Sequence, residues 1–160
     1  MRWTVAVAMI GLAGCSEEQI ALDDLPPPVR SAVLARFADA TMSQASRDRE
    51  GLKRVFEVTL ERGGRKIDVT TTPDGELTVV EIEIARADLP AAVGKWLDEH
   101  YPGATYQKVE EVRHVKAGAE SLAFYEALLV DGSSKWWEVQ VSADGTKLLN
   151  AEKKKPGEID

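Results

Sequence analysis

The feature that most constrains this chain is a pattern that recurs 64 positions apart, where Asp24-Leu25-Pro26 is matched by Asp88-Leu89-Pro90. The match continues in register: Val29 with Val93, Val33 with Leu97, Phe37 with Tyr101, and Ala40-Thr41 with Ala104-Thr105. Apolar residues four apart lie on one face of a helix, so each copy is predicted to open with a helix that buries one stripe. Asp24 and Asp88 are placed to accept hydrogen bonds from the free amides of a first turn, where Pro26 and Pro90 lose nothing by lacking an N–H. Tyr101-Pro102-Gly103 predicts a stop near His100, because proline disfavours helical geometry in its predecessor and glycine permits the exit turn.

After each helix the period changes to two. Val55 to Leu60 and Phe124 to Leu129 read as strands. Gly63-Gly64 and Asp131-Gly132 supply tight turns into strands at 66–70 and 136–141, and Asp74-Gly75 and Asp144-Gly145 turn the chain again into 76–84 and 146–151. A weaker first strand is expected at 42–48 and a clearer one at 106–115. The expectation is an α+β fold of two tandem units, 24–86 and 87–152. Each is one helix followed by a three- to four-stranded antiparallel β-meander, with the helices packed on one face of the sheets. A unit of about 65 residues has a thin core, so the two are expected to pack as one body.

Comparing the copies separates the two faces of each strand. Ile67, Val69 and Thr71 match Trp137, Val139 and Val141, and Phe56, Val58 and Leu60 match Tyr125, Ala127 and Leu129, which marks the core side. On the other side the first copy carries Val55, Glu57, Thr59, Glu61, Lys66, Asp68 and Thr70. The second carries Phe124, Glu126, Leu128, Val130, Trp136 and Glu138. Phe124, Leu128 and Trp136, with Glu138 beside them, are therefore the candidate partner-binding residues, with the aromatics as anchors. Burial of this face against the other copy or a partner subunit is the competing reading, strongest for Leu128 and Val130.

The Leu-Pro helix opening, the apolar stripe, the Tyr101-Pro102-Gly103-Ala104 exit and the aspartate-glycine hairpins resemble the PepSY-like periplasmic family, related in fold to the β-lactamase inhibitor protein. The resemblance covers about residues 24–152. Its motifs are structural, and what it implies is a fold and a protein- or peptide-binding mode of action, with no catalytic residue.

The N-terminus adds an address. Arg2 precedes an apolar run from Trp3 to Ala13, far short of the roughly 20 residues that span a bilayer, so residues 1–14 read as a signal peptide. The run ends in Leu12-Ala13-Gly14-Cys15, which resembles the bacterial lipobox. Leu12 is large where ordinary signal peptidase wants a small residue, and Cys15 is the only cysteine, so an intrachain disulfide is excluded. The resemblance implies acylation of Cys15 and a permanent membrane anchor. Ser16 stands where aspartate resembles an inner-membrane retention signal, which favours the outer membrane in a Gram-negative host. Residues 15–23 read as lipidated cysteine and acidic spacer, and 153–160 as a flexible tail.

A net charge of -7 excludes nucleic acid as a partner, since that affinity rests on a basic footprint. His100 and His114, the only histidines, lack metal-ligand spacing, so no metal site or cofactor is expected. No nucleophile elbow, P-loop, dinucleotide fingerprint or calcium loop is present, and no catalytic residue is assigned. Glu81, Glu83, Glu57 and Glu126 lie within strands and could assemble a hydrolytic carboxylate pair, but a solvated sheet face is the plainer expectation. The function expected is that of a non-catalytic periplasmic lipoprotein that binds or inhibits an envelope protein or peptide. An envelope-assembly lipoprotein is the alternative and a carboxylate-dependent hydrolase a third.

Overall fold

The computed structural model describes residues 17–155, which form one nine-stranded antiparallel sheet with two short helices on one side. The strands are β1 (Glu18–Ile20), β2 (Thr41–Glu50), β3 (Lys53–Arg62), β4 (Arg65–Thr71), β5 (Leu77–Glu83), β6 (Thr105–Lys116), β7 (Ala119–Val130), β8 (Trp136–Ser142) and β9 (Leu148–Lys154). They lie across the sheet in chain order.

This corrects the expectation of two tandem helix-plus-meander units. β5 pairs with β6 from Val79 opposite His114 to Glu83 opposite Glu110, so the two halves share one sheet. The physical reason is the edge. Two separate meanders would each leave an edge strand of unpaired N–H and C=O groups, and the shared ladder pairs 79–83 with 110–114. β1 lies within the stretch read as a spacer, pairing Glu18 to Ile20 with Arg47 to Ala45, and β9 runs two residues into the stretch read as a tail.

The helices are α1 (Pro27–Arg36) and α2 (Ala91–His100), ten residues each. Neither start is capped by a side chain, contrary to the role expected of Asp24 and Asp88. Those aspartates end single 3-10 turns at Leu22–Asp24 and Arg86–Asp88. Proline is the cause: Leu25 and Leu89 each precede one and are held extended, which moves the aspartates out of reach and leaves Pro26 and Pro90 at the N-cap. α2 ends at His100, with the Tyr101 amide donating to Leu97 O at 2.8 Å.

Both helices cover the same side of the sheet. Val29 and Val33 of α1 pack with Leu25 and Phe37 onto Phe56, Val58, Leu60, Ile67 and Val69. Val93 and Leu97 of α2 pack with Leu89 onto Val109, Tyr125, Ala127, Leu129, Val139 and Val141. The aspartate-glycine turns lean on the helix starts. Gly145 has φ +71, and a Cβ there would sit 2.5 Å from the carbonyl carbon of Ala92; Gly75, at φ +85, would meet Pro28 O at 2.5 Å. Only glycine allows both the left-handed backbone and the close approach.

Candidate functional site: the helix-free face of the sheet

Strand alternation sends every second residue away from the helices, and the antiparallel register decides which of them meet. Across β3 to β6 one row reads Thr59, Asp68, Glu81, Val112; across β5 to β8 the next reads Glu83, Glu110, Glu126, Gln140. No described element covers this side, yet Asp68 is 4% exposed, Glu110 2%, Val112 1% and Leu128 7%. Long strands coil as they twist, and on the hollow side the side chains crowd together. The face expected to be solvated is thus a floor with buried carboxylates.

Two lysines answer part of that charge. Lys66 Nζ lies 3.2 Å from Asp68 Oδ2 and Lys108 Nζ lies 3.1 Å from Glu110 Oε2. The Thr59 hydroxyl donates to Asp68 Oδ1 at 2.7 Å, and Gln140 Nε2 donates to Glu126 Oε2 at 2.8 Å. Glu110 Oε1 is buried without a partner. Burial, then the neighbouring charges of Glu110, Glu126, Glu57 and Asp68, push the Glu81 carboxyl up to about 9. Burial and Glu138 push Glu126 up to about 7. Glu110 is raised by burial and drawn back by Lys108, whose own ammonium the surrounding carboxylates hold in the charged form.

The candidate partner-binding residues lie toward the β7–β8 end. Phe124 is half-buried with His114 edge-on to its ring, centroids 6.2 Å apart. Trp136 is half-buried between Val130 and Lys154, and Glu138 takes the Lys154 ammonium at 3.0 Å. Leu128 is brought to the same side but belongs to the floor and offers almost no accessible surface. Cys15 lies outside the described residues. His100 stacks on Trp96, ring centroids 3.8 Å apart, away from the carboxylates.

The comparison of the copies puts Asp68 on this face, but the sequence assigns no role to Asp68, Glu110 or Lys108. The signal available was the alternation Lys108-Val109-Glu110, which puts opposite charges on one side of β6. Nothing local said that β4, β5 and β6 would bring Asp68, Glu81 and Glu110 together. A cavity of about 460 Å³ beside α2 is lined by Arg86, Leu89, Gly94 and Asp98, and a recess of about 60 Å³ opens between Gln19, Ser46, Glu57 and Lys66. Neither contains the Glu81 and Glu126 pair that the hydrolase alternative needs.

No family model and no curated protein matches the sequence. Among solved structures, the chain is similar to a BLIP-like protein from Bacteroides fragilis, at 17% identity and TM-score 0.58, over 79% of this chain and 84% of that one. It is also similar to a protein from Bacteroides eggerthii provisionally described as periplasmic, at 16% identity and TM-score 0.65, over 80% and 88%. A third likeness is to a DUF2874 family protein from Bacteroides uniformis, at 13% identity and TM-score 0.63, over 80% and 88%. At these identities the likeness is one of fold: the chain has a BLIP-like fold.

Proposed function

We propose that this chain is a non-catalytic, lipid-anchored envelope protein whose helix-free sheet face docks a protein or peptide partner. The observation that carries the reading is that face itself: half-buried Phe124 and Trp136 beside a carboxylate floor, with no described element over it. Aromatic anchors beside a desolvated centre are the arrangement that concentrates binding energy. The excess of carboxylates over Lys66, Lys108 and Lys154 selects a partner segment that brings basic side chains to an apolar rim. The lipobox at Cys15 and the periplasmic description of one fold relative support the location. The two ten-residue helices and the 3-10 turns before them begin 64 positions apart, which supports the PepSY-like resemblance and an origin by duplication.

The test is quantitative capture from envelope extract by residues 16–160, which hold every described element, against Phe124→Ala and Trp136→Ala. The expected result is a partner whose recovery falls at least tenfold in either variant and falls with salt. Equal recovery of every protein by all three chains refutes the assigned surface. Mass spectrometry of the exported chain reads the anchor separately, an unmodified Cys15 removing it.

A further inference from the structure

We propose that Asp68, Glu81 and Glu110 form a binding site for a hard divalent cation, Ca²⁺ foremost, on the floor of the helix-free face. One ligand oxygen from each of the three lies within 4.8 Å of the others. That is the span two Ca–O bonds of about 2.3–2.6 Å can bridge. The donors come from three adjacent strands, β4, β5 and β6, with Asp68 directly opposite Glu81 and Glu110 one step diagonal from it. Strands hold such donors more rigidly than a loop does.

A cluster of acids alone is no site, and the second observation is the unpartnered oxygen within it. Glu110 is 2% exposed; Lys108 takes its Oε2, and Oε1 is left with no hydrogen-bond partner. A buried carboxylate oxygen without a donor is destabilising, and a metal ion is a partner that satisfies it. Glu81 likewise makes no hydrogen bond or ion pair among the described residues. Asp68, Glu81, Glu110 and Glu126 outnumber Lys66 and Lys108 at this centre, so either protons or a cation must supply the missing positive charge.

Ca²⁺ is favoured over Mg²⁺ because it accepts irregular sets of six to eight oxygens, while Mg²⁺ demands a near-ideal octahedron at about 2.1 Å. Three carboxylates fixed by sheet register are an irregular set, and the open side admits the waters that complete it. The site stands independently of any partner on the same face.

The test is calorimetric titration of CaCl₂, and separately MgCl₂, into chelator-stripped residues 16–160, with thermal unfolding alongside. The expected result is binding that Glu81→Gln and Glu110→Gln each weaken at least tenfold, with both variants folded by circular dichroism. Glu126→Gln, outside the three ligands, is expected to keep it. A folded chain that shows neither heat nor stabilisation with millimolar Ca²⁺ or Mg²⁺ at about pH 8 overturns the proposal, as does binding that survives both substitutions.

Discussion

Replacing Glu81 by glutamine is the sharpest test of the buried floor. In the folded chain the carboxyl stays protonated up to about 9, while the unfolded chain releases that proton near 4.5. Between those values the native state binds the extra proton, so stability is fully present below about 4.5 and falls as pH rises towards 9. The slope is about 1.4 kcal/mol per pH unit, which amounts to about 3 kcal/mol between about pH 5.5 and about pH 7.5, with a ceiling near 6 kcal/mol over the whole interval. Glutamine is nearly the shape of the protonated acid and does not titrate. Glu126, raised to about 7, and Glu110 add slopes of their own, so the informative quantity is the difference between the two chains. Urea unfolding in the presence of EDTA measures it. Wild type should lose about 3 kcal/mol more than Glu81→Gln across that window, and parallel stability curves would refute the account of the floor as a set of crowded, desolvated acids.

Gly145→Ala should lower stability by about 2 kcal/mol or more, since it adds a clash with Ala92 to the left-handed strain, whereas Gly51→Ala, at φ +63 with nothing within 4 Å, should lose only about 1 kcal/mol; equal melting points would remove the claim that the turn leans on α2. Lys108→Met leaves Glu110 buried beside no ammonium at 3.1 Å and should destabilise by about 3 kcal/mol, with the double variant Lys108→Met/Glu110→Gln recovering most of it in chemical denaturation. Asp131 accepts from Trp137 Nε1 at 2.8 Å and from the amides of Ser133 and Lys135, which hold its carboxyl well below the usual range. Asp131→Ala should therefore shift the Trp137 indole N–H resonance and broaden the β7–β8 turn amides, and an unchanged spectrum would sink that assignment.

Local signals in the sequence served for what local physics decides. The spacing of Val93 and Leu97, and the Tyr101-Pro102 stop, locate α2 and the stripe it buries; the alternation around Val139 and Val141 locates the core side of β8. The proline effect was misjudged at the helix starts, where Leu25 and Leu89 are forced extended and the aspartates fall a turn short. Long-range facts were not readable. Nothing in Val79 or His114 announces that β5 and β6 pair, and without that pairing Glu110 has no route to Asp68 and Glu81. The polar side of the strands read as solvated because alternation reports which side a residue takes, not whether that side is hollow. For Leu128 the comparison of the copies leaves both readings open with a lean to burial, and the residue is buried in the floor.

Because each strand pairs with its neighbour in the chain, most ladders close a loop of a few residues; the β1–β2 and β5–β6 ladders instead close the longer excursions through α1 and α2. Short closures carry little chain entropy, so β2 to β5 can assemble as one meander and β6 to β9 as another. The β5–β6 ladder then joins the two meanders. The carboxylate floor straddles that seam, with Asp68 and Glu81 on one side and Glu110 on the other. Whatever occupies the floor therefore reports on, and helps to close, the junction between the two meanders.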